Sequence, residues 1–281
     1  MRLGRSRRQK VRLRQRVDLR KTLFVLPNLL TLASVFCGFN AIRLLANDSA
    51  SLDDFHRAAV LLIFAMLFDS LDGRVARLTK TQSAFGLELD SLADVISFGV
   101  APALLVYKWV LFRVPVPGLL TAFLFVACAA IRLARFNVLS ASTRGAPLKP
   151  GKYIVGLPTP PASGILVSLV VADPPLSRAL ADERFTLAMF VVTIGLSLLM
   201  VSNFRFRSFK DLRLNARTVF LVLFTIGTSV FIWQRYKPQL VLVWLLSVYI
   251  LIGIVESLRA FALRLRGLDE RDSVPPAQAR P

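Results

Sequence analysis

The chain has 281 residues, of which 55% are hydrophobic, and a formal net charge of +19. Its mean hydropathy of +0.59 is too apolar for an ordinary water-soluble domain and fits a polytopic membrane protein. That excludes the usual nucleic-acid reading of so basic a chain, because cytoplasmic loops of membrane proteins are rich in Lys and Arg and lie against anionic head groups.

The first 22 residues form a basic arm with ten Lys/Arg before the first apolar run. It is too long and too basic for a signal-peptide n-region and has no clear cleavage site after it, so a cytoplasmic arm is expected. Eight apolar segments of roughly bilayer-spanning length follow, over 24–46, 55–77, 90–112, 117–138, 159–172, 184–201, 217–233 and 238–258. The fifth is short and bounded by prolines. The expected fold is therefore all-α and polytopic, with about eight transmembrane helices. The expected division is a 1–22 arm, a 23–215 core of six transmembrane helices, two further helices over 216–258, and a 259–281 cytoplasmic tail that is partly disordered.

Loop charge sets the orientation. The loops after segments two, four and six carry Arg74/Arg77/Lys80, Arg144/Lys149/Lys152 and Arg205/Arg207/Lys210/Arg213/Arg217, and the tail adds Arg259, Arg264 and Arg266. The alternate loops are poorer in Lys and Arg. The positive-inside rule then places both termini on the cytoplasmic side. Cys37 and Cys128 sit inside apolar runs with no paired spacing and read as small buried hydrophobes. His56 reads as a surface residue.

The stretch from Asp69 to Asp94 breaks the apolar pattern with four carboxylates, Asp69, Asp72, Asp90 and Asp94. The first pair is spaced i, i+3 and the second i, i+4, so each pair occupies one face of a helix. Ionised groups at membrane depth are costly and normally mark function. Four carboxylates on adjacent helices would repel one another unless cations lay between them, and hard oxygen donors suit Mg2+, Mn2+ or Ca2+. Two cations shared by four carboxylates is a layout that catalyses displacement at phosphorus. Gly73 allows close approach of a phosphate, Arg77 offers a planar fork for a diphosphate, and Gly86 helps the chain turn into the third segment. The plainer alternative, salt bridges to Arg74, Arg77 and Lys80 in a solvated loop, does not explain four helically spaced aspartates among small residues.

The pattern D-x2-D-G-x2-A-R-x8-G-x3-D-x3-D, from Asp69 to Asp94, resembles the signature of the CDP-alcohol phosphatidyltransferases, with every defining position filled. The resemblance implies that Asp69, Asp72, Asp90 and Asp94 bind two divalent cations, Mg2+ or Mn2+. It implies that Asp94 is also the general base. It further implies that Asn28, Thr31, Gly73, Arg77, Ser83 and Gly86 serve the CDP-lipid. Pro27 fits a helix N-terminus and Asn28 equally reads as a helix cap.

The stretches 26–42, 88–103, 131–138, 156–164 and 199–210 look like blocks of bacterial and archaeal phosphatidylserine synthases, so the resemblance covers roughly residues 20–215. It implies transfer of a phosphatidyl group from CDP-diacylglycerol to L-serine with release of CMP, in a bacterial cytoplasmic membrane, by a homodimer that needs no nucleic acid. Serine carries a carboxylate, which one of Arg132 and Arg135 is expected to bind while the other binds an acceptor-side or lipid phosphate, with Asn137 assisting either role; both arginines also read as positive-inside anchors. The alternatives are a related transferase with another acceptor, such as glycerol 3-phosphate, and a divalent-cation transporter. The latter is disfavoured because the acidic residues cluster at one membrane face.

Overall fold

The computed structural model describes residues 19–47, 49–81, 83–142, 153–172, 182–207, 225, 228–229, 231 and 239–265. Eight α-helices are described: α1 (Leu19–Leu45), α2 (Leu52–Leu78), α3 (Ala84–Asp94), α4 (Ala101–Trp109), α5 (Pro115–Ser142), α6 (Thr159–Ala172), α7 (Asp182–Val201) and α8 (Gln239–Leu265). The first 18 residues, the seventh expected segment apart from four scattered positions, and the last 16 residues lie outside them.

Among the described residues, four stretches are long and apolar enough to cross a membrane: Val25–Leu45, Ala84–Trp109, Pro115–Val138 and Glu183–Val201, with shorter apolar helices at Thr159–Ala172 and Val243–Val255. The second of the four joins α3 to α4 through a π-helical stretch, Val95–Val100. Helix α2 has 27 residues, about 40 Å at helical rise, but its polar C-terminal end lowers its mean hydropathy. On α1 the side chains of Leu29, Leu32, Phe36 and Phe39 are exposed at 3- and 4-residue spacings, an outward apolar face suited to lipid. The chain is an all-α polytopic membrane protein, as its composition required.

Helix starts follow local chemistry. Ser51 closes a capping box with Asp54 at the start of α2. The third apolar run was expected to begin at residue 90. Its helix begins at Ala84 because Ser83 caps it, accepting a hydrogen bond from Gly86 N at 3.0 Å. Pro27 corrects a second expectation: it sits inside α1, not at its N-terminus.

Helices α1 and α2 pack along each other after a short turn, while α6 is enclosed by α2, α4 and α8, and α5 packs on α7. Fully buried Phe98, Leu105, Phe125 and Leu166 lie in this interior, and Trp109 meets Phe185 edge to face at 5.4 Å. Both cysteines are buried and free, as expected.

One feature was not expected from the sequence. Residues Tyr153–Val155 and Arg205–Arg207 pair as a short antiparallel ribbon, with Ile154 opposite Phe206. Gly156 follows at φ +78°, where any Cβ would collide with the Met200 carbonyl, so glycine is required for the chain to turn from the ribbon into α6.

Candidate active site

Helix α2 delivers Asp69 and Asp72 close to its C-terminal end. The chain then reverses within a few residues, held by Thr79 Oγ1 donating to Val75 O and Thr81 N donating to Ala76 O, before Ser83 starts α3. This short reversal lays the Asp90/Asp94 face of α3 against the Asp69/Asp72 face of α2. One carboxylate oxygen from each of Asp69, Asp72 and Asp90 lies within 4.8 Å of the others. Asp94 stands beside Asp69, within hydrogen-bonding reach of it.

Asp72 is buried and accepts a hydrogen bond from Thr31 Oγ1 of α1 at 2.6 Å. Thr31 also lies 3.1 Å from Pro27 O. A hydroxyl has one proton, and the shorter, charged contact takes it. Thr31 therefore steadies Asp72, a contact that the sequence did not disclose.

Three hard oxygen donors this close would repel as anions alone. Asp94 Oδ1 is also buried without a hydrogen-bond partner among the described residues. The three converging carboxylates of Asp69, Asp72 and Asp90 fit a divalent cation of the Mg2+, Mn2+ or Ca2+ type.

Beyond Asp94 the chain widens into the π-helical stretch, a form that recurs at functional sites. There Ser97 Oγ donates to Ser34 O of α1 at 3.1 Å. Gly38 permits this approach, since a Cβ on it would lie 2.8 Å from Ser97 Oγ and 3.0 Å from Ser97 Cα.

Of the residues expected at the CDP-lipid, Thr31 is bonded to Asp72, and the other five fall into two groups. Ser83, Gly86 and Asn28 are neighbours: a Cβ on Gly86 would lie 3.1 Å from Ser83 Oγ and 3.4 Å from Asn28 Oδ1. Gly73 and Arg77 form the other group, on the exposed side of α2. A Cβ on Gly73 would meet nothing within 4 Å among the described residues, and Arg77 Nε donates to Gly73 O at 2.9 Å. Both groups flank the carboxylates.

The three acceptor candidates separate. Arg132 reaches inward, donating from Nη1 to Thr159 Oγ1 at 3.1 Å, and interacts electrostatically with Asp94 and Tyr249. Its Nε is buried without a hydrogen-bond partner among the described residues. Arg135 is exposed and donates to Asn203 Oδ1 at 3.1 Å. Asn137 has both ends of its amide engaged by α3, donating to Glu88 Oε2 and accepting from Ser91 Oγ, each at 3.1 Å. Asn137 thus braces the helix that carries Asp90 and Asp94. Thr159 and Tyr249 were not singled out from the sequence. A threonine among prolines and a tyrosine in an apolar run carry no local signal; only packing brings them to Arg132.

The CDP-alcohol phosphatidyltransferase family model matches residues 24–199. The CDP-diacylglycerol–serine O-phosphatidyltransferase of Helicobacter pylori (strain ATCC 700392 / 26695) is 37% identical over 233 residues, covering 83% of this chain and 91% of the relative. The protein of the same name from Bacillus subtilis (strain 168) is 33% identical, over 66% of this chain and 91% of its own. The archaetidylserine synthase of Methanothermobacter thermautotrophicus is 36% identical, over 67% and 72%. Signature aspartates of α2 and α3 gathered at one site, in a chain matched over most of its length, place this protein in the CDP-alcohol phosphatidyltransferase family.

Proposed function

We propose that the protein transfers the phosphatidyl group of CDP-diacylglycerol to L-serine, giving phosphatidylserine and CMP. The observation that carries an alcohol bearing an anionic group as acceptor is that Asp94 Oδ1 and Arg132 Nε are both buried and unsatisfied among the described residues, on side chains that interact electrostatically. One is a hydrogen-bond acceptor and the other a donor. A small alcohol that also bears a carboxylate satisfies both at once. Among such alcohols, the relatives' names favour serine.

In this reading Asp69, Asp72, Asp90 and Asp94 hold divalent cations, two of them, Mg2+ or Mn2+. When bound, these offset the negative charge of the diphosphate and of the departing CMP. Gly73 leaves the surface of α2 open to the diphosphate and Arg77 lies beside it, while Asn28, Ser83 and Gly86 form the other wall for the CDP-lipid. Arg132 fixes the acceptor through its carboxylate. Asp94 takes the hydroxyl proton as the serine oxygen bonds to the phosphatidyl phosphorus and the bond from that phosphorus to CMP breaks. Thr31 and Asn137 hold Asp72 and α3 in register. Arg135, at the rim, is the weaker acceptor candidate.

The remaining parts of the reading follow the sequence. The site and both termini face the cytoplasm, in a bacterial inner membrane, by the charge of the loops. Residues 23–215 form the catalytic core, 216–258 two added helices, and two copies associate as a homodimer.

The test is CMP release by purified protein in mixed micelles with CDP-diacylglycerol and Mg2+ or Mn2+, offering L-serine, glycerol 3-phosphate and inositol phosphate in turn. Release with serine alone, abolished by EDTA, is expected. Release with glycerol 3-phosphate instead would replace the acceptor. Cation flux in liposomes without CDP-lipid, and no CMP release, would replace the enzyme with a transporter.

A further inference from the structure

Among the described residues, the buried side-chain atoms without a hydrogen-bond partner are Asp94 Oδ1, Arg132 Nε and Ser163 Oγ. The proposed reaction uses the first two. Ser163 is fully buried in α6, and its neighbour Gly164 packs closely on Leu246 and Met66.

Ser163 behaves unlike the other buried hydroxyls inside these helices. Ser168, in the same helix, donates to Ile165 O at 2.8 Å. In α7, Thr193 donates to Met189 O and Ser197 to Thr193 O, each at 2.7 Å. These hydroxyls satisfy themselves on the preceding turn, the ordinary solution in an apolar helix. Ser163 does not, and an unpaired buried hydroxyl is costly.

Its position links it to the site. Ser163 is one turn beyond Thr159, on the same face of α6, and Thr159 is where Arg132 Nη1 is anchored. Pro158, Pro160 and Pro161 have no N–H, so the start of α6 offers few backbone donors. Polar recognition there falls to side chains.

We propose that Ser163 is a binding residue for the acceptor, its Oγ accepting a hydrogen bond from the ammonium group of an amino-acid alcohol. This rests on the reading above that Arg132 faces the acceptor carboxylate and Asp94 its hydroxyl. The three unsatisfied atoms then correspond one to one with the three polar groups of such a molecule. Ser163 separates an amino-acid acceptor from alcohols that lack an ammonium group, which neither Asp94 nor Arg132 does.

The experiment compares Ser163→Ala and the near-isosteric Ser163→Cys with the unaltered protein, measuring CMP release against L-serine and against CDP-diacylglycerol, with a thermal melt of each. Loss of a hydrogen bond to a charged group predicts a rise of about tenfold or more in KM for serine. The KM for CDP-diacylglycerol and the melting temperature should hold, since the alanine only removes an unpaired hydroxyl. An unchanged KM for serine in either folded variant would overturn the proposal and leave Ser163 as a hydroxyl satisfied by buried water. If the unaltered protein releases CMP with another alcohol and not with serine, the acceptor assignment fails by itself. An unchanged KM for that alcohol in the variants would then remove Ser163 from the pocket, and a raised one would place it there while overturning its ammonium role.

Discussion

Thr31→Val is the substitution that most directly tests how α1 supports the carboxylates. Valine keeps the shape of threonine and removes only the hydroxyl, whose bond to Asp72 Oδ2 is 2.6 Å long and buried. A hydrogen bond to a charged group contributes about 1.5–3 kcal/mol. At about 1.4 kcal/mol per factor of ten, that is roughly ten- to a hundredfold. A bound cation shares the charge of Asp72, so the lower end applies. The expected outcome is that the Mg2+ or Mn2+ concentration giving half-maximal CMP release rises about tenfold, in keeping with the usual effect of losing a partner of a metal ligand. Saturating cation should restore most of the rate, and Thr31→Ser, which keeps the hydroxyl, should stay close to the unaltered protein. A cation requirement unchanged in Thr31→Val would refute the reasoning, leaving the bond to Asp72 without a role in cation affinity.

Other substitutions separate fold from function. Gly73→Ala adds a methyl group where nothing lies within 4 Å, so the melting temperature should not fall, and the helix should gain about 0.5–1 kcal/mol. A several-fold higher KM for CDP-diacylglycerol in the same variant would mark that open space as room for substrate; an unchanged KM would remove Gly73 from the CDP-lipid wall. Gly86→Ala presses on Ser83 Oγ at 3.1 Å and Asn28 Oδ1 at 3.4 Å, both side-chain atoms, so the protein should fold while its KM for CDP-diacylglycerol rises several-fold. Gly38→Ala instead meets backbone, Ser97 Cα at 3.0 Å, and should destabilise the protein by about 1–3 kcal/mol, read as a lower melting temperature in detergent. Asp94→Asn should abolish turnover while CDP-diacylglycerol binding, measured by titration, stays largely intact; loss of that binding would make Asp94 mainly a cation ligand.

The fold class and the reactive end of the molecule were legible in the order of the residues alone. Apolar runs of bilayer length have no stable state but membrane helices, so seven of the eight expected segments coincide with described helices, and the seventh expected segment lies almost wholly outside the described residues. The aspartates were legible for a similar reason. Helical periodicity puts Asp69 with Asp72 and Asp90 with Asp94, and the short connection between the two helices leaves little choice but to bring the pairs together. What sequence could not supply was every contact made between segments distant along the chain. Local spacing gave no hint that Thr31 holds Asp72, that Asn137 grips Glu88 and Ser91, or that Arg132 bonds Thr159 and Arg135 bonds Asn203. The paired ribbon of 153–155 with 205–207 joins segments some fifty residues apart and was equally invisible. Those pairings are set by the way α1 packs on α2 and α3, α6 on α2, and α5 on the π-helical stretch that follows α3. Tertiary structure alone decided which polar atoms are satisfied, and which are left for a ligand.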